Sequence, residues 1–271
     1  MIIVYPKGRL GNHIFIYNFV FSNSSQDELI LTIESDFFKI FETERKNVIQ
    51  IPKFIFRILY KVIYFFRNFF TQIYCEKKRN GIEVFETNVI TQKGLFVKIK
   101  IYDGFFQQYN SRILPINKLT IRRIKEKQKL LIKKHKNLIF IHQRNGDYKE
   151  FTVYGKKVWL KDNYYKNALN QILNKNDFHF LVFSDDMSDL HPTIKKLKNK
   201  TLITGQNHLD DFVFMSLCDG GILSNSTYSY FAGELIEDPL YIIAPKYWLG
   251  WKSKKWIPYG IKNPNFTYID A

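Results

Sequence analysis

The sequence predicts an α/β protein built from two Rossmann-like halves, and three observations carry that prediction. Short apolar runs alternate with stretches of helical periodicity through the second half of the chain. The same alternation opens the first half. Polar, charged or glycine-bearing residues cluster where the apolar runs end, which is where doubly wound sheets place their chemistry. A length of 271 residues is comfortable for two domains, and 45% hydrophobic with 17% aromatic residues is enough to bury both cores.

The first strand is Ile2–Tyr5, followed by the loop Lys7-Gly8-Arg9-Leu10-Gly11-Asn12 and a helix with Phe15, Ile16, Phe19 and Val20 on one face. Leu29–Ile33 is the second strand. Gly8 and Gly11 let backbone N–H groups approach a phosphate at a helix start, although ordinary turn chemistry accounts for them equally well. In the second half the strands read Leu138–Ile141, Phe178–Ser184, Thr201–Thr204, Gly220–Ser224 and Leu240–Ala244. Helical patterns separate them at Asn163–Leu173 and Asp210–Leu217.

Net charge is +16, but its placement matters more than its sum. Lys53 to Arg79 holds seven basic residues and one acid, and Ile116 to Lys136 nine and one, so all but two of the net charges lie in these stretches. Between Phe54 and Cys75, aromatic and aliphatic residues alternate, and Lys53, Arg57 and Lys61 recur every four residues on one helical stripe. The longest uncharged apolar run there is Val62 to Phe66, far short of the roughly 20 residues that span a bilayer. Such a helix either lies on an anionic membrane surface, giving the 53–79 segment a peripheral membrane contact, or packs its apolar face inward.

The second basic stretch follows Pro115 and reads as a solvated helix or interdomain connector. The expected domains are therefore 1–137, including this connector, and 138–271. Codon bias in an AT-rich genome would enrich Lys, Asn, Ile, Phe and Tyr with no partner involved. No nucleic-acid motif accompanies the charge, so no nucleic-acid partner is expected, and a basic nucleic-acid-binding protein is the less favoured reading. Cys75 and Cys218 show no metal or disulfide spacing and read as reduced thiols. The N-terminal run is too short for a signal-peptide core, which points to a cytoplasmic protein.

Four segments carry candidate chemistry. Ile141-His142-Gln143-Arg144-Asn145-Gly146-Asp147-Tyr148 places an arginine at the carboxyl end of a buried strand, and the planar donor fork of arginine suits an anion. Asp185 and Asp186 end the next strand, where carboxylates accept from a ribose or a guanine edge, bind a metal or cap a helix. Ser224, Asn225, Ser226, Thr227 and Ser229 open a helix with more polar side chains than a cap requires. The fourth is the Gly8–Asn12 loop.

These segments resemble the motifs of bacterial α-1,2-fucosyltransferases of glycosyltransferase family 11, in the same order and across most of the chain. Gly8-Arg9-Leu10-Gly11-Asn12-His13 is similar to the family's Gly-x-Leu-Gly-Asn-Gln, and Asp103-Gly104-Phe105-Phe106-Gln107 to Asp-Gly-Tyr-x-Gln. His142–Tyr148 looks like His-x-Arg-Arg-Gly-Asp-Tyr, Phe183–Asp186 matches Phe-Ser-Asp-Asp, and Asn225–Ser229 matches the Asn-Ser-(Ser/Thr)-(Phe/Tyr)-Ser run. Three departures stand out: Asn145 replaces the second arginine, His13 a glutamine, and Tyr230-Phe231-Ala232 a Trp-Trp-Gly.

The resemblance implies a GT-B-like fold with two Rossmann-like domains facing a cleft, the first on the acceptor side and the second binding the nucleotide sugar. It implies transfer of L-fucose from GDP-fucose, with inversion and no essential metal or cofactor, to a galactose hydroxyl, O2 by analogy. The acceptor would be a surface-glycan or oligosaccharide precursor, lipid-linked in one form, met at the inner face of the plasma membrane. Arg144 would stabilise the leaving diphosphate. Asp147 and Asp103 are the base candidates, with His13 behind them. Gly11, Asn12, His142, Asp185, Asp186 and the Ser224–Ser229 run would hold the donor. Asn145 is expected to remove a donor group near the phosphates and open the site to a different nucleotide sugar.

Overall fold

The computed structural model describes residues 1–66, 71–79, 82–90, 99–110 and 113–271, with 71–79 and 82–90 described by their backbone. Two six-stranded sheets organise the chain, one in each of two compact units, Met1–Pro115 and Ile116–Ala271. The fold is mixed α/β and GT-B-like, as the sequence pattern predicts.

In the first unit β1 (Ile2–Val4), β2 (Ile30–Ile33), β3 (Val48–Ile51), β4 (Thr71–Arg79), β5 (Ile82–Ile90) and β6 (Ile99–Asp103) are ordered β3-β2-β1-β6-β4-β5. All neighbours are parallel except β4 and β5. The central β1 is apolar at every position because both faces are covered. Helix α1 (Leu10–Ser22) follows Gly8, which sits at φ +84° with the Asn12 amide 2.2 Å from where a Cβ would be. Only glycine fits there. The short α2 (Phe37–Ile40) stacks Phe37 on Tyr17 of α1, with ring centroids 4.6 Å apart.

Helix α3 (Lys53–Phe65) starts after Pro52 and buries Phe56 against Ile3, Ile33, Ile99 and Ile101. The helical pattern expected through Cys75 stops at Phe65, and the chain turns to strand at Thr71. Thr71, Ile73 and Tyr74 on β4, with Val84, Phe85, Thr87 and Val89 on β5, are β-branched or aromatic, which favours a hairpin over more helix. Cys75 and the charges of Arg67, Lys77, Lys78 and Arg79 lie outside the described side chains, so that part of the basic-segment reading falls outside the described residues.

The second unit begins with the supposed connector. Helices α4 (Lys118–Lys127) and α5 (Lys129–Lys134) follow Asn117, whose side chain caps α4 by accepting from the backbone N–H of Leu119 and Thr120. Arg123 and Lys127 each donate to the Asp210 carboxylate at 2.7 Å, and Ile124 is fully buried beside them. Of the two readings the solvated helix is the one found: the stretch forms two largely exposed helices of the second unit, anchored through Ile124 and Asp210, and the compact units divide after Pro115. Its sequence hides this because Asp210 is more than 80 residues away.

Strands β7 (Leu138–Gln143), β10 (His179–Ser184), β11 (Lys200–Leu202), β12 (Gly220–Ile222), β13 (Tyr241–Pro245) and β14 (Thr267–Ile269) form an all-parallel sheet ordered β11-β10-β7-β12-β13-β14. A small hairpin of β8 (Thr152–Val153) and β9 (Lys156–Lys157) stands apart from it. Helices α6 (Asp162–Gln171), α7 (Pro192–Lys195), α8 (His208–Ser216) and α9 (Thr227–Glu234) connect the strands. Every expected strand and helix of this half is present, and β14 is an addition. One core packs Ile139, Ile141, Phe180, Val182, Ile222 and Ile243 against Tyr164, Tyr165, Ala168 and Leu169 of α6.

From β7 the chain builds outward to β10 and β11, then returns to the other side of β7 with β12. The switch point thus lies between β7 and β12, and the crevice outside their carboxyl ends is where such sheets bind ligands. In the first unit the same logic places a switch point between β1 and β6.

Close packing of β7 on β12 depends on Gly221, where a Cβ would lie 2.3 Å from Cε1 of buried Phe140. Gly221→Ala should therefore overpack the sheet beside the switch point and lower stability by about 1–3 kcal/mol, read as a reduced urea midpoint with an unchanged m-value.

Candidate active site

Strand β7 is buried along its whole length, so its direction is fixed and the residues just past it are aimed by the sheet. Arg144 follows. Its Nη1 lies 2.6 Å from Asp185 Oδ2, its Nη2 donates to Asp147, and its guanidinium sits over the Tyr148 ring at 5.4 Å. Asp185 comes from the carboxyl end of β10, and its other oxygen accepts the Asn145 backbone N–H at 2.8 Å. Gly146, at φ +31°, must be glycine, because a Cβ would lie 2.5 Å from Asp185 Oδ2.

The two carboxylates differ in role. The Arg144 side chain is 11% exposed and Asp185 26%, whereas Asp147 is 64% exposed. Asp185 fixes the cation from within, and Asp147 is a solvent-facing partner that an incoming anion can displace. Asp186 is not beside Arg144: it caps a short turn by accepting from the Ser188 N–H and pairs with Lys149 at 3.4 Å. The capping role that the sequence left open applies to Asp186, whereas Asp185 holds the Arg144 guanidinium.

Asn145 is fully buried, and its amide is saturated. Oδ1 accepts from Gln143 Nε2 at 2.8 Å and Trp159 Nε1 at 3.0 Å, while Nδ2 donates to the Asp189 and Asp186 carbonyls at 3.0 and 3.1 Å. Gln143, also fully buried, donates to the Asp189 carbonyl and accepts the His191 N–H. Together these amides clamp the end of β7 to the loop after β10. Asn145 thus offers no free donor of its own: its side chain points into the protein.

Across the switch point, His142 is buried with Nδ1 2.7 Å from Ser224 Oγ. Burial first, then the Arg144 charge, pushes its pKa down to about 3, so the imidazole is neutral at physiological pH. The Ser224–Ser229 run divides its labour. Asn225 donates to the Val158 carbonyl at 2.8 Å, Ser229 donates to the Ser224 and Ser226 carbonyls, and Ser226 caps α9. Most of these polar groups build the turn that opens α9, where the Tyr228 ring lies 5.6 Å from that of His142. Thr227 is the first residue of that helix.

In the first unit, Lys7 and Asp103 pair at 2.5 Å past the carboxyl ends of β1 and β6. Gln107 donates to Asn12 Oδ1 at 2.8 Å, joining the opening loop to the Asp103–Gln107 segment. Gly11 is buried in the first turn of α1. His13 is partly buried, its Nδ1 lies 2.8 Å from Ser35 Oγ, and burial lowers its pKa. The candidate residues therefore form two clusters, one at each switch point.

Sequence reasoning missed Gln143 and Trp159, whose amide and indole define the clamp, and Lys7, the partner of Asp103. It also missed Asp211 on α8, whose Oδ1 is buried without a hydrogen-bond partner among the described residues. Burial, then the Asp210 charge, pushes the Asp211 pKa up to about 6. No spacing in the sequence distinguishes it from Asp210. Among the described residues no group of three or more His, Cys, Asp or Glu side chains is placed to hold a metal ion.

The sequence model of glycosyl transferase family 11 matches residues 1–270. The chain belongs to glycosyl transferase family 11. No curated protein sequence matches it. Among solved structures it is similar to POFUT1 in complex with GDP, at 12% identity and a TM-score of 0.52, covering 90% of this chain and 97% of that one. Two further structures are similar at TM-scores of 0.48 and 0.47. One is Arabidopsis thaliana FUT1 in complex with GDP, at 12% identity over 87% of this chain and 68% of that one. The other is NodZ alpha-1,6-fucosyltransferase soaked with GDP-fucose, at 11% identity over 85% and 91%.

Within family 11, the Asn145 departure is thus a change in scaffold. Asn145→Ala removes one hydrogen bond each from Gln143, Trp159 and the Asp186 and Asp189 carbonyls at a buried position and should lower stability by about 3 kcal/mol. Asn145→Arg should melt at least as early and bind no nucleotide more tightly, both read by thermal unfolding with and without ligand. His142 gives a pH prediction. Below its ordinary pKa of 6.5 the unfolded chain takes up a proton that folded His142 refuses. Stability should therefore fall from pH 6.5 toward 3 by about 1.4 kcal/mol per unit, and His142→Gln should flatten that slope in urea titrations at successive pH values.

Proposed function

We propose that the protein is an inverting fucosyltransferase that moves L-fucose from GDP-fucose to a galactose hydroxyl, O2 by family analogy, on a surface-glycan or oligosaccharide precursor. The observation that carries this reading is the Arg144 guanidinium, fixed by Asp185 just past the carboxyl end of buried β7. Fixed positive charge at that point suits a diphosphate leaving group. Membership of glycosyl transferase family 11 supports the reaction class. The fold shared with POFUT1, whose structure holds GDP, supports the nucleotide.

In the reaction the acceptor oxygen attacks the anomeric carbon while the bond to the β-phosphate oxygen breaks. The acceptor proton passes to a base, and the electron pair leaves with GDP. Negative charge gathers on the diphosphate as the sugar becomes oxocarbenium-like, so preorganised charge at the phosphate stabilises the transition state more than the ground state. Arg144 supplies it. Asp147, released when the diphosphate takes its place on Arg144, and Asp103, held by Lys7, are the two bases the reading allows. Neutral His142 contributes position and hydrogen bonding and carries no charge. No step requires a metal, and the setting assigned is the cytoplasm.

For the nucleoside, the reading turns to Asp211. Asp185 is occupied by Arg144 and Asp186 by its turn, whereas the buried Asp211 Oδ1 has no hydrogen-bond partner among the described residues, and a guanine N–H edge that reached it would supply one. Asp211 also carries a stability signature. Its folded pKa is raised from 3.8 to about 6, so it weakens the fold as pH rises through that window. Asp211→Asn should raise stability near pH 7 by roughly 1–3 kcal/mol while weakening GDP binding. Unchanged GDP affinity would remove Asp211 from the nucleoside site.

Arg144→Ala should lower kcat about 10²- to 10³-fold, measured as fucose transfer from GDP-fucose to simple galactosides. A comparison of GDP, UDP, CMP and dTDP by thermal shift tests the donor separately, with GDP expected to stabilise most. A larger shift from another nucleotide, with transfer from its sugar, would overturn the fucose assignment while leaving the reaction class in place.

A further inference from the structure

Helix α3 presents three longitudinal faces. Phe56 is buried, and Tyr60 and Ile63 pack partly buried on the same core. On the opposite side, Phe54, Ile58, Val62 and Phe65 recur at helical spacing and are 68%, 64%, 49% and 77% exposed, with Ile55 beside them. Between these faces run Lys53, Arg57 and Lys61, all exposed and spaced by four. The stretch from Val48 to Phe66 contains no acidic residue.

An apolar stripe left in water along the length of a helix marks an interaction surface. The core already has its own face of α3, so this stripe is additional to what folding uses. We propose that α3 is an interfacial helix that lays its Phe54–Phe65 stripe into the surface of an anionic lipid bilayer, with Lys53, Arg57 and Lys61 meeting the phosphate headgroups. The helix rises about 20 Å over its 13 residues, enough to lie in the interface. Among the described residues no helix is long and apolar enough to cross a membrane. Long basic side chains beside an apolar stripe extend their charges to the headgroup level while their stems stay in apolar contact.

Charge decides between this surface and a second copy of the chain. A two-fold interface sets a patch against itself, which would bring two cationic rows together with no acid on the helix to offset them. Anionic headgroups neutralise the same row. The proposal is independent of the reaction assigned above, since α3 belongs to the first unit and Arg144 to the second.

Flotation of the full chain with vesicles tests it. The wild type should float with phosphatidylcholine vesicles containing phosphatidylglycerol, bind phosphatidylcholine alone far less, and be released by salt. The triple variant Phe54→Ala, Ile58→Ala, Phe65→Ala keeps helix-forming residues at exposed positions, so its circular dichroism and GDP-induced thermal shift should match the wild type while its flotation falls at least tenfold. Lys53→Gln, Arg57→Gln, Lys61→Gln should lose roughly a hundredfold in partitioning to the anionic vesicles, about fivefold per charge. Failure of the wild type to float, equal flotation of the folded variants, or a wild-type dimer that the alanine variant dissociates without any vesicle binding would each overturn the proposal.

Discussion

The Asp185 carboxylate ties two strand ends together and aims a cation in the same act. One oxygen holds the backbone N–H of Asn145 and the other the guanidinium of Arg144. The contact requires Gly146, since any side chain there would collide with the carboxylate. Beneath it, the amides of Gln143 and Asn145 fasten the same turn to the carbonyls after β10. A lone arginine on a loop would sample many rotamers. Here its position is set before any ligand arrives, which is what electrostatic catalysis needs.

Topology explains why the chemistry gathers where it does. In each unit the chain builds strands to one side of its central strand, then crosses back, leaving a crevice between two diverging connections. In the second unit that crevice collects His142, Arg144, Ser224 and the start of α9. In the first it collects Lys7, Asp103 and the Asn12–Gln107 pair. Sequence segments about 80 to 95 residues apart become neighbours through this crossing. The buried tyrosines of α6 reinforce it, since Tyr164 donates to the Leu223 carbonyl and Tyr165 to that of His142.

Much of this was legible in the chain before folding. The strands of the second half announce themselves as short apolar runs because a parallel sheet is covered on both faces, and Arg144 stood out just past Leu138–Ile141 as the arginine at a buried strand's end. What was not legible depended on partners far away in sequence. The α4 helix looked unanchored until Asp210 supplied a counter-charge for Arg123 and Lys127. Asn145 looked like a missing arginine until Trp159 and the Asp189 carbonyl claimed its amide. The start of β4, Thr71 to Cys75, was read as part of the helix because aromatic and β-branched residues there satisfy either period. Polar residues whose roles are set by orientation, such as Asp185 against Asp186, cannot be separated by spacing alone.

The account stands on the Arg144–Asp185 pair being the seat of the donor diphosphate. A crystal structure of the protein with bound GDP tests that most directly. The account predicts diphosphate oxygens within hydrogen-bond reach of the Arg144 guanidinium, Asp185 still paired to it, and Asp147 displaced. GDP bound elsewhere, with Arg144 still held by both carboxylates and touching no phosphate, would contradict it.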